Sequence, residues 1–274
     1  MTRLAARAAD EFELGTESDW RPVHSRAGRT GAGMAGSRGE GIVETSDARR
    51  PSGRSGMTGA QAGADSAAAT PVLTPVLVAT LLAEGERMPV YVHLVDHAGT
   101  RVLVDTGLTE LHPAVADMDP RLMPLDTHAE VDLDSIDVVV NTHLHFDHCG
   151  GNHLFAGKPI HVQRQELEDA RTVDPYTIRE WVDAPGVDYV QVDGELELLP
   201  GLRLVPAPGH TRGSQVVVIE TGGRPIVIAG DTAVFHAELD EPTSEGQRVI
   251  RALEPREVWL SHEHEPWRPP APDA

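Results

Sequence analysis

The sequence predicts an α/β protein, a four-layer αββα sandwich that follows a disordered N-terminal leader. From about residue 71, short apolar runs typical of strands come in groups, with helical stretches between some of them. Polar clusters directly follow several of these runs. Two sheets packed face to face, with helices on the outside, accommodate this pattern.

The leader spans residues 1–70 and is rich in Gly, Ala, Ser and Arg. It contains 9 Arg against 9 Asp and Glu, with few large apolar residues. Because such a segment cannot bury enough apolar surface to offset its chain entropy, we expect disorder. It lacks the apolar core that a signal peptide needs. Met57 is an alternative start, so the sequence leaves open whether residues 1–56 are translated.

The rest of the chain divides into a domain at 71–265 and a Pro-rich tail at 266–274. Because the leader is neutral, the formal net charge of −20 belongs to residues 71–274. This charge argues against binding to nucleic acid or to anionic membranes. One cysteine, Cys149, excludes an internal disulfide, and no stretch approaches a transmembrane span. We expect a cytoplasmic protein with a small-molecule substrate, and the oligomeric state stays open.

The strands and helices of the domain follow from apolar runs and turn residues. Predicted strands cover 76–82, 90–95, 101–104, 136–140, 160–162, 189–192, 202–205, 216–219, 226–229 and 258–260. Residues 108–135 are mixed and partly helical, with prolines breaking them. Helices are predicted over 164–182, interrupted near Pro175, and over 243–254. A hairpin turn at 222–223 joins the strands at 216–219 and 226–229.

A histidine-rich hexapeptide directly follows the strand predicted at 136–140. It reads His143-Leu144-His145-Phe146-Asp147-His148. Neutral imidazoles and carboxylates are the ligands that suit Zn²⁺ and similar divalent ions. Imidazoles and a carboxylate crowded this closely gain nothing in an apolar core, so the motif predicts a metal site.

Three further polar residues follow strands in the same way. His210 follows 202–205, Asp231 follows 226–229 and His262 follows 258–260. Loops beyond strand ends are where rigid scaffolds present functional groups. The alternatives are a surface histidine at 210, a turn residue or cap at 231, and His264 in place of His262.

Together these residues predict two metal sites. His143, His145 and His210 hold one ion, and Asp147, His148 and His262 hold the other. Asp231 bridges both ions with its two oxygens. Two divalent ions that share a water lower its pKa and yield hydroxide at neutral pH. Zn²⁺ is the expected metal, although the same ligands also accept Fe, Mn or Co.

Other polar residues near these motifs have different expected roles. Asp105 ends a strand, either as a structural turn residue or as a hydrogen-bond partner that orients a metal-bound histidine. His236 is a candidate for substrate contact, whereas His153 and His161 are not expected to be ligands. Cys149 is expected to be a small buried residue.

At these residues the chain resembles the metallo-β-lactamase superfamily. The resemblance covers essentially 71–265 and rests on five motifs. They are Asp105-Thr106-Gly107, the hexapeptide, Pro208-Gly209-His210-Thr211, Gly230-Asp231-Thr232 and Ser261-His262. It implies the αββα fold and a binuclear metal site.

Within the superfamily, the chain looks most like the N-acyl homoserine lactonase branch. Supporting stretches are Met88-Pro89-Val90-Tyr91, Gly150-Gly151-Asn152, Val162-Gln163-Arg164-Gln165-Glu166 and Leu199-Pro200-Gly201-Leu202. The resemblance implies that a lactone ring is opened by attack of metal-bridging hydroxide, with Asp147 as both ligand and catalytic group. That branch commonly has a tyrosine three positions after the bridging aspartate, where this chain has Val234. Valine cannot donate a hydrogen bond, and His236 is the nearby candidate donor.

Two other functions compete with a lactonase. One is a hydrolase of another small ester, or of a thioester as in glyoxalase II, although no basic cluster near the C-terminus is present to hold glutathione carboxylates. The other is a non-catalytic metal-binding protein. Redox members of the superfamily carry glutamate at the position of His145, so the histidine here favours hydrolysis.

Overall fold

The computed structural model describes residues 71–270. The predicted leader at 1–70 and the end of the predicted tail, 271–274, lie outside the described residues. Among residues 71–270, no helix is both long enough and apolar enough to cross a membrane.

Twelve strands form the framework of the described part of the chain. They are β1 (Val72–Ala83), β2 (Glu86–His97), β3 (Thr100–Val104), β4 (Arg121–Leu122), β5 (Val138–Val140), β6 (Pro159–Gln163), β7 (Asp188–Val192), β8 (Leu196–Leu199), β9 (Leu202–Pro206), β10 (Gln215–Ile219), β11 (Ile226–Gly230) and β12 (Glu257–Leu260). The α-helices are α1 (Phe146–Cys149), α2 (Arg164–Thr172), α3 (Arg179–Val182), α4 (His236–Asp240) and α5 (Glu245–Ala252). Short 3₁₀ turns lie at Pro113–Met118, Leu125–Thr127, Leu133–Ser135 and Asn152–Phe155.

The strands form two sheets. The first has seven strands in the order β4-β1-β2-β3-β5-β6-β7, and the second has five in the order β12-β11-β10-β9-β8. In the first sheet, β4, β1, β2 and β3 pair antiparallel, and β3, β5, β6 and β7 pair parallel. The second sheet is antiparallel except where β11 pairs parallel with β12.

The two sheets pack face to face around a shared apolar core, as alternation along β10 illustrates. Val217 and Ile219 face the core that also contains Val102 and Val104 of β3. Val216 and Val218 instead join an outer cluster with residues of α4 and α5. Successive strand residues point to opposite faces, so each central strand is covered on both sides. The predicted four-layer α/β sandwich is confirmed.

The element predictions differ from the structure in a few places. The hairpin at 222–223 and the interruption of the helix at 164–182 are confirmed. The segment 108–135 contains three 3₁₀ turns and β4 but no α-helix. Strands β4 and β8, of two and four residues, were not predicted. Trp267, in the predicted irregular tail, forms an antiparallel bridge with Val258 and is buried.

Lys158, the only lysine of the chain, fastens a 3₁₀ turn to the first sheet. Its Nζ donates to the carbonyl oxygens of Leu133, Asp134 and Ile136 at 2.8, 3.0 and 2.6 Å. An ammonium group has three donors and no acceptor, so these contacts satisfy it fully. The side chain is half-buried, and it holds the turn at Leu133–Ser135 in place just before β5.

Candidate metal centre

The predicted site residues meet at one end of the sandwich because close packing joins the strand ends there. Gly230, the last residue of β11, has a φ of +53°, and a Cβ at this position would lie 2.3 Å from Thr142 Oγ1. Only glycine permits this approach. It sets Asp231, from the second sheet, beside the loop that follows β5 of the first sheet.

His143, His145 and His210 form the first predicted ligand group. The Nδ1 atom of His145 lies 3.1 Å from His143 Nε2 and 3.0 Å from His210 Nε2. One nitrogen from each ring therefore faces a common point, and the three residues form a group that could hold a metal ion. His143 is 1% exposed, whereas His145 and His210 are half-buried.

Asp147, His148 and His262 form the second predicted ligand group. Asp147 Oδ2 lies 3.8 Å from His148 Nε2 and 3.6 Å from His262 Nε2. Asp147 and His148 lie on α1, a single helical turn that the sequence did not reveal, and His262 follows β12. All three side chains are buried.

Asp231 lies between the two groups. Its Oδ2 atom is close to four imidazole nitrogens, at 3.9 Å from His143, 3.6 Å from His210, 3.2 Å from His148 and 3.1 Å from His262. We expected the two carboxylate oxygens to divide between the groups, but Oδ2 is the nearer oxygen to all four rings. The other oxygen, Oδ1, is buried without a hydrogen-bond partner.

The tautomers of two histidines follow from their outer hydrogen bonds. His262 Nδ1 lies 2.7 Å from the carbonyl oxygen of Pro89, which can only accept, so Nδ1 donates. His148 Nδ1 likewise donates to Asp105 Oδ2 at 2.9 Å. In neutral rings, both Nε2 lone pairs then point at Asp231 Oδ2. Facing acceptors repel unless a proton or a cation lies between them, so this donor set fits a divalent metal.

Asp105 is the hydrogen-bond partner that orients this side of the site. It is 1% exposed, and its φ of +62° lies in the left-handed region that Asp tolerates better than most residues. Besides His148, it accepts from Thr142 N at 2.7 Å and from Thr142 Oγ1 at 2.8 Å. Thr142 Oγ1 thus has lone pairs left to accept from His143 Nδ1, 3.2 Å away.

The electrostatics differ across the site. For His148 and His262, burial lowers the pKa, but the carboxylates of Asp231 and Asp147 outweigh it and hold the pKa above its usual value. The other shifted ligands favour the forms that bind metal. Burial, assisted by neighbouring imidazoles, holds the pKa of His143 and of His145 well below the usual range. Burial alone would raise the pKa of Asp231, but His148 and His262 hold it well below its usual value. Neutral imidazoles and an ionised carboxylate are the forms that bind a metal ion.

The remaining predicted residues lie outside these ligand groups. His236 begins α4, and its Nε2 lies 2.9 Å from the carbonyl oxygen of Glu265. Val234 is half-buried against an apolar cluster of the first sheet. His264, the alternative to His262, is exposed, with its Nδ1 3.0 Å from the Tyr91 hydroxyl. Cys149 is fully buried, as expected.

Two residues beside the site were not singled out from the sequence as functional. Glu166 is a fully buried carboxylate of α2, and the ring of Tyr176 lies 5.2 Å from the ring of His145, centroid to centroid. Their link to the histidines depends on contacts between distant parts of the chain. In the sequence Glu166 stands among polar and charged residues, Arg164-Gln165-Glu166-Leu167-Glu168-Asp169, so no local signal distinguishes it.

The fold and the clustered side chains define an α/β sandwich protein with a candidate metal centre of histidines and aspartates. The chain belongs to the metallo-beta-lactamase superfamily, whose family model matches residues 85–257. The match takes in the hexapeptide, His210 and Asp231, but ends before His262.

Relatives at lower coverage agree with this membership. An N-acyl homoserine lactonase of Bacillus sp is 32% identical over 151 residues, 49% of this chain and 59% of that protein. A probable metallo-hydrolase of Mycobacterium tuberculosis is 30% identical over 192 residues, 59% of this chain and 62% of that protein. The chain thus matches less than two thirds of the length of either relative. The predicted resemblance to the lactonase branch is confirmed.

The fold also matches a solved structure. An N-acyl homoserine lactone hydrolase, with the product N-hexanoyl-L-homoserine bound at its catalytic metal centre, superposes with a TM-score of 0.58 at 23% identity. The superposition covers 71% of this chain and 93% of that chain. At this identity, the similarity shows the fold alone.

Proposed function

We propose that this protein is a binuclear metal-dependent hydrolase that opens a lactone or another small ester. The observation that carries the proposal is the position of Asp231 Oδ2, which lies within 3.9 Å of nitrogens from both ligand groups. One carboxylate oxygen shared in this way suits two neighbouring divalent ions. The lactonase relative supports the choice of substrate class.

In this proposal, His143, His145 and His210 would hold one ion, Asp147, His148 and His262 would hold the other, and Asp231 would contact both. Two such ions, for which we propose Zn²⁺, supply Lewis acidity that activates a water and polarises an ester carbonyl. The hydrogen bonds from His148 to Asp105 and from His262 to the Pro89 carbonyl fix both rings with Nε2 toward the site.

We assign Asp147 a second role in proton transfer. Ester hydrolysis takes a proton from the attacking water and returns one to the leaving alkoxide. The Asp147 carboxylate would accept the first proton at an oxygen and pass it to the alkoxide as the C–O bond breaks. Its side chain is 6% exposed, so bulk water would compete little for this proton.

His236 is proposed as a substrate contact with a restricted role. Its Nε2 donates to the Glu265 carbonyl oxygen at 2.9 Å. A neutral His236 can therefore accept a hydrogen bond at Nδ1 but cannot donate one there. In this form it cannot supply the hydrogen bond that a tyrosine hydroxyl would donate at the position of Val234.

The cellular setting is part of the same proposal. The single cysteine is consistent with a cytoplasmic location. The charge of −20 disfavours nucleic acid and anionic membranes as partners and does not impede a small neutral ester.

A substrate panel on Zn²⁺-loaded protein tests the proposal. It contains acyl homoserine lactones, aliphatic lactones, a nitrophenyl ester and S-lactoylglutathione. We expect the homoserine lactones to be opened with the highest kcat/KM. Turnover of the thioester alone would overturn the lactone assignment and favour the thioesterase alternative. Two bound ions with no turnover on any substrate would leave a non-catalytic metal-binding protein.

Replacing Asp147 by Asn tests its double role. We expect Asp147→Asn to lower kcat by about 10²–10⁴-fold, the range typical of a lost acid–base group. It should also weaken the binding of one of the two metal ions, because the amide carries no charge. The fold should be retained. The measurements are steady-state kinetics, metal content by mass spectrometry and the circular dichroism spectrum.

The control for this variant is Asp126→Asn, since Asp126 is an exposed residue of the 3₁₀ turn Leu125–Thr127. Activity and metal content of the control should equal those of the wild type. Wild-type turnover in Asp147→Asn would contradict the binuclear assignment.

A further inference from the structure

Glu166 is a buried carboxylate that joins three distant segments of the chain. It lies in the first turn of α2 and is fully buried. Its Oε1 accepts hydrogen bonds from Leu144 N at 2.8 Å and from the Tyr176 hydroxyl at 2.5 Å. Its Oε2 accepts from Thr211 Oγ1 at 2.6 Å. An ionised carboxylate only accepts, which suits three converging donors.

Each of the three partners adjoins a member of the first ligand group. Leu144 lies between His143 and His145 in the chain, and Thr211 follows His210. The Tyr176 ring lies 5.2 Å from the His145 ring, centroid to centroid. None of the three hydrogen bonds reaches a residue of the group Asp147, His148 and His262.

The segment that carries His210 lies directly against the start of α2. A Cβ added to Gly213 would lie 2.2 Å from Glu166 N, so the two backbones are in close contact. Arg212 adds a second tie through its ion pair with Asp169, one turn further along α2. The hydrogen bond from Thr211 to Glu166 is the buried one of these ties, because the Arg212 side chain is exposed.

We propose that Glu166 is a positioning residue for the metal site of His143, His145 and His210, an inference that rests on the proposed binuclear function. It holds the backbone between His143 and His145 and the segment behind His210 on one carboxylate. The Nε2 atoms of His143 and His210 therefore stay 3.1 and 3.0 Å from His145 Nδ1. Loss of Glu166 would loosen this site and leave the site of Asp147, His148 and His262 intact.

The test replaces Glu166 by Gln, which keeps the size and removes the charge. The new amide nitrogen can only donate, so at least one of the three donors loses its acceptor. The matched control is Glu168→Gln, on the exposed side of the same helix. Affinities for Co²⁺ at the two sites are measured by titration with absorption spectra. His210→Ala and His262→Ala provide reference spectra in which one site is impaired.

We expect Glu166→Gln to lower the affinity for Co²⁺ at one site by about tenfold. This is the lower end of the loss found when a group that supports a metal ligand is removed. Its residual spectrum should match that of His210→Ala rather than His262→Ala. The control should bind both ions as the wild type does. Equal weakening of both ions, or no weakening, would overturn the inference.

A second variant tests the same inference independently, in case Glu166→Gln does not fold. Thr211→Val keeps the shape of the side chain and the charge of Glu166 but removes the buried tie to the His210 segment. The same selective loss of the first ion is expected, and unchanged affinity would overturn the inference. Wild-type protein that binds fewer than two ions would instead contradict the proposed function, so the two failures are distinguishable.

Discussion

Asp231→Asn is expected to abolish turnover and to release both metal ions, whereas loss of a histidine from either group should weaken the binding of mainly one ion. The reason is that Asp231 Oδ2 faces nitrogens of both groups, at 3.1 Å from His262 and 3.6 Å from His210. An amide oxygen keeps the shape but lacks the negative charge that offsets two dications. The loss of kcat/KM should exceed about 100-fold, the upper end for groups that only support a ligand.

Metal content and kinetics of Asp231→Asn should be compared with those of His210→Ala and His262→Ala. Asp188→Asn is the matched control, because Asp188 is exposed at the start of β7. The control should retain full activity. If Asp231→Asn retained two ions and more than a tenth of the activity, the carboxylate would not be shared between them.

Removal of metal is the second large effect that we expect. A chelator should abolish activity and lower the Tm, because the ions bind the folded site and not the unfolded chain. At a free metal concentration of 1,000 Kd, this linkage stabilises the fold by about 4 kcal/mol. For a domain of roughly 200 residues, that corresponds to a fall in Tm of about 8–16 °C. Differential scanning calorimetry with and without chelator measures it.

Excess Zn²⁺ added after the chelator should restore both Tm and activity. The same chelator should change the Tm of Asp231→Asn only slightly, since that variant has already lost its ions. A fully active metal-free protein would exclude metal-dependent hydrolysis. A Tm that does not respond to chelator would show that metal binding and folding are not coupled.

The residues of the candidate metal centre can be picked out from the sequence because they follow strand ends. The apolar runs that precede His143, Asp231 and His262 identify the strands, and the packing of the two sheets brings the strand ends together. His262 rather than His264 lies in a ligand group, as its place directly after β12 indicates. Continuous apolar runs, typical of strands covered on both faces, therefore carry most of the architecture.

The parts that the sequence does not predict depend on contacts between distant segments. The hydrogen bonds of Glu166 span 22 residues to Leu144 and 45 to Thr211, and no local pattern encodes them. The position of Asp231 between the two ligand groups likewise depends on the approach of Gly230 to Thr142, which joins the two sheets. Strands β4 and β8 exist because neighbouring strands offer them hydrogen bonds, and their own residues show little preference.

The three carbonyls that surround Lys158 also make this protein a poor target for acylation. Lactones and thioesters are electrophiles that transfer their acyl group to free amines, and an amine must lose a proton before it attacks. The ammonium of the only lysine has all three of its donors held by backbone oxygens, so the side chain must leave these partners before it can reach an electrophile. An activated ester that reaches this protein therefore finds no lysine side chain ready to be modified.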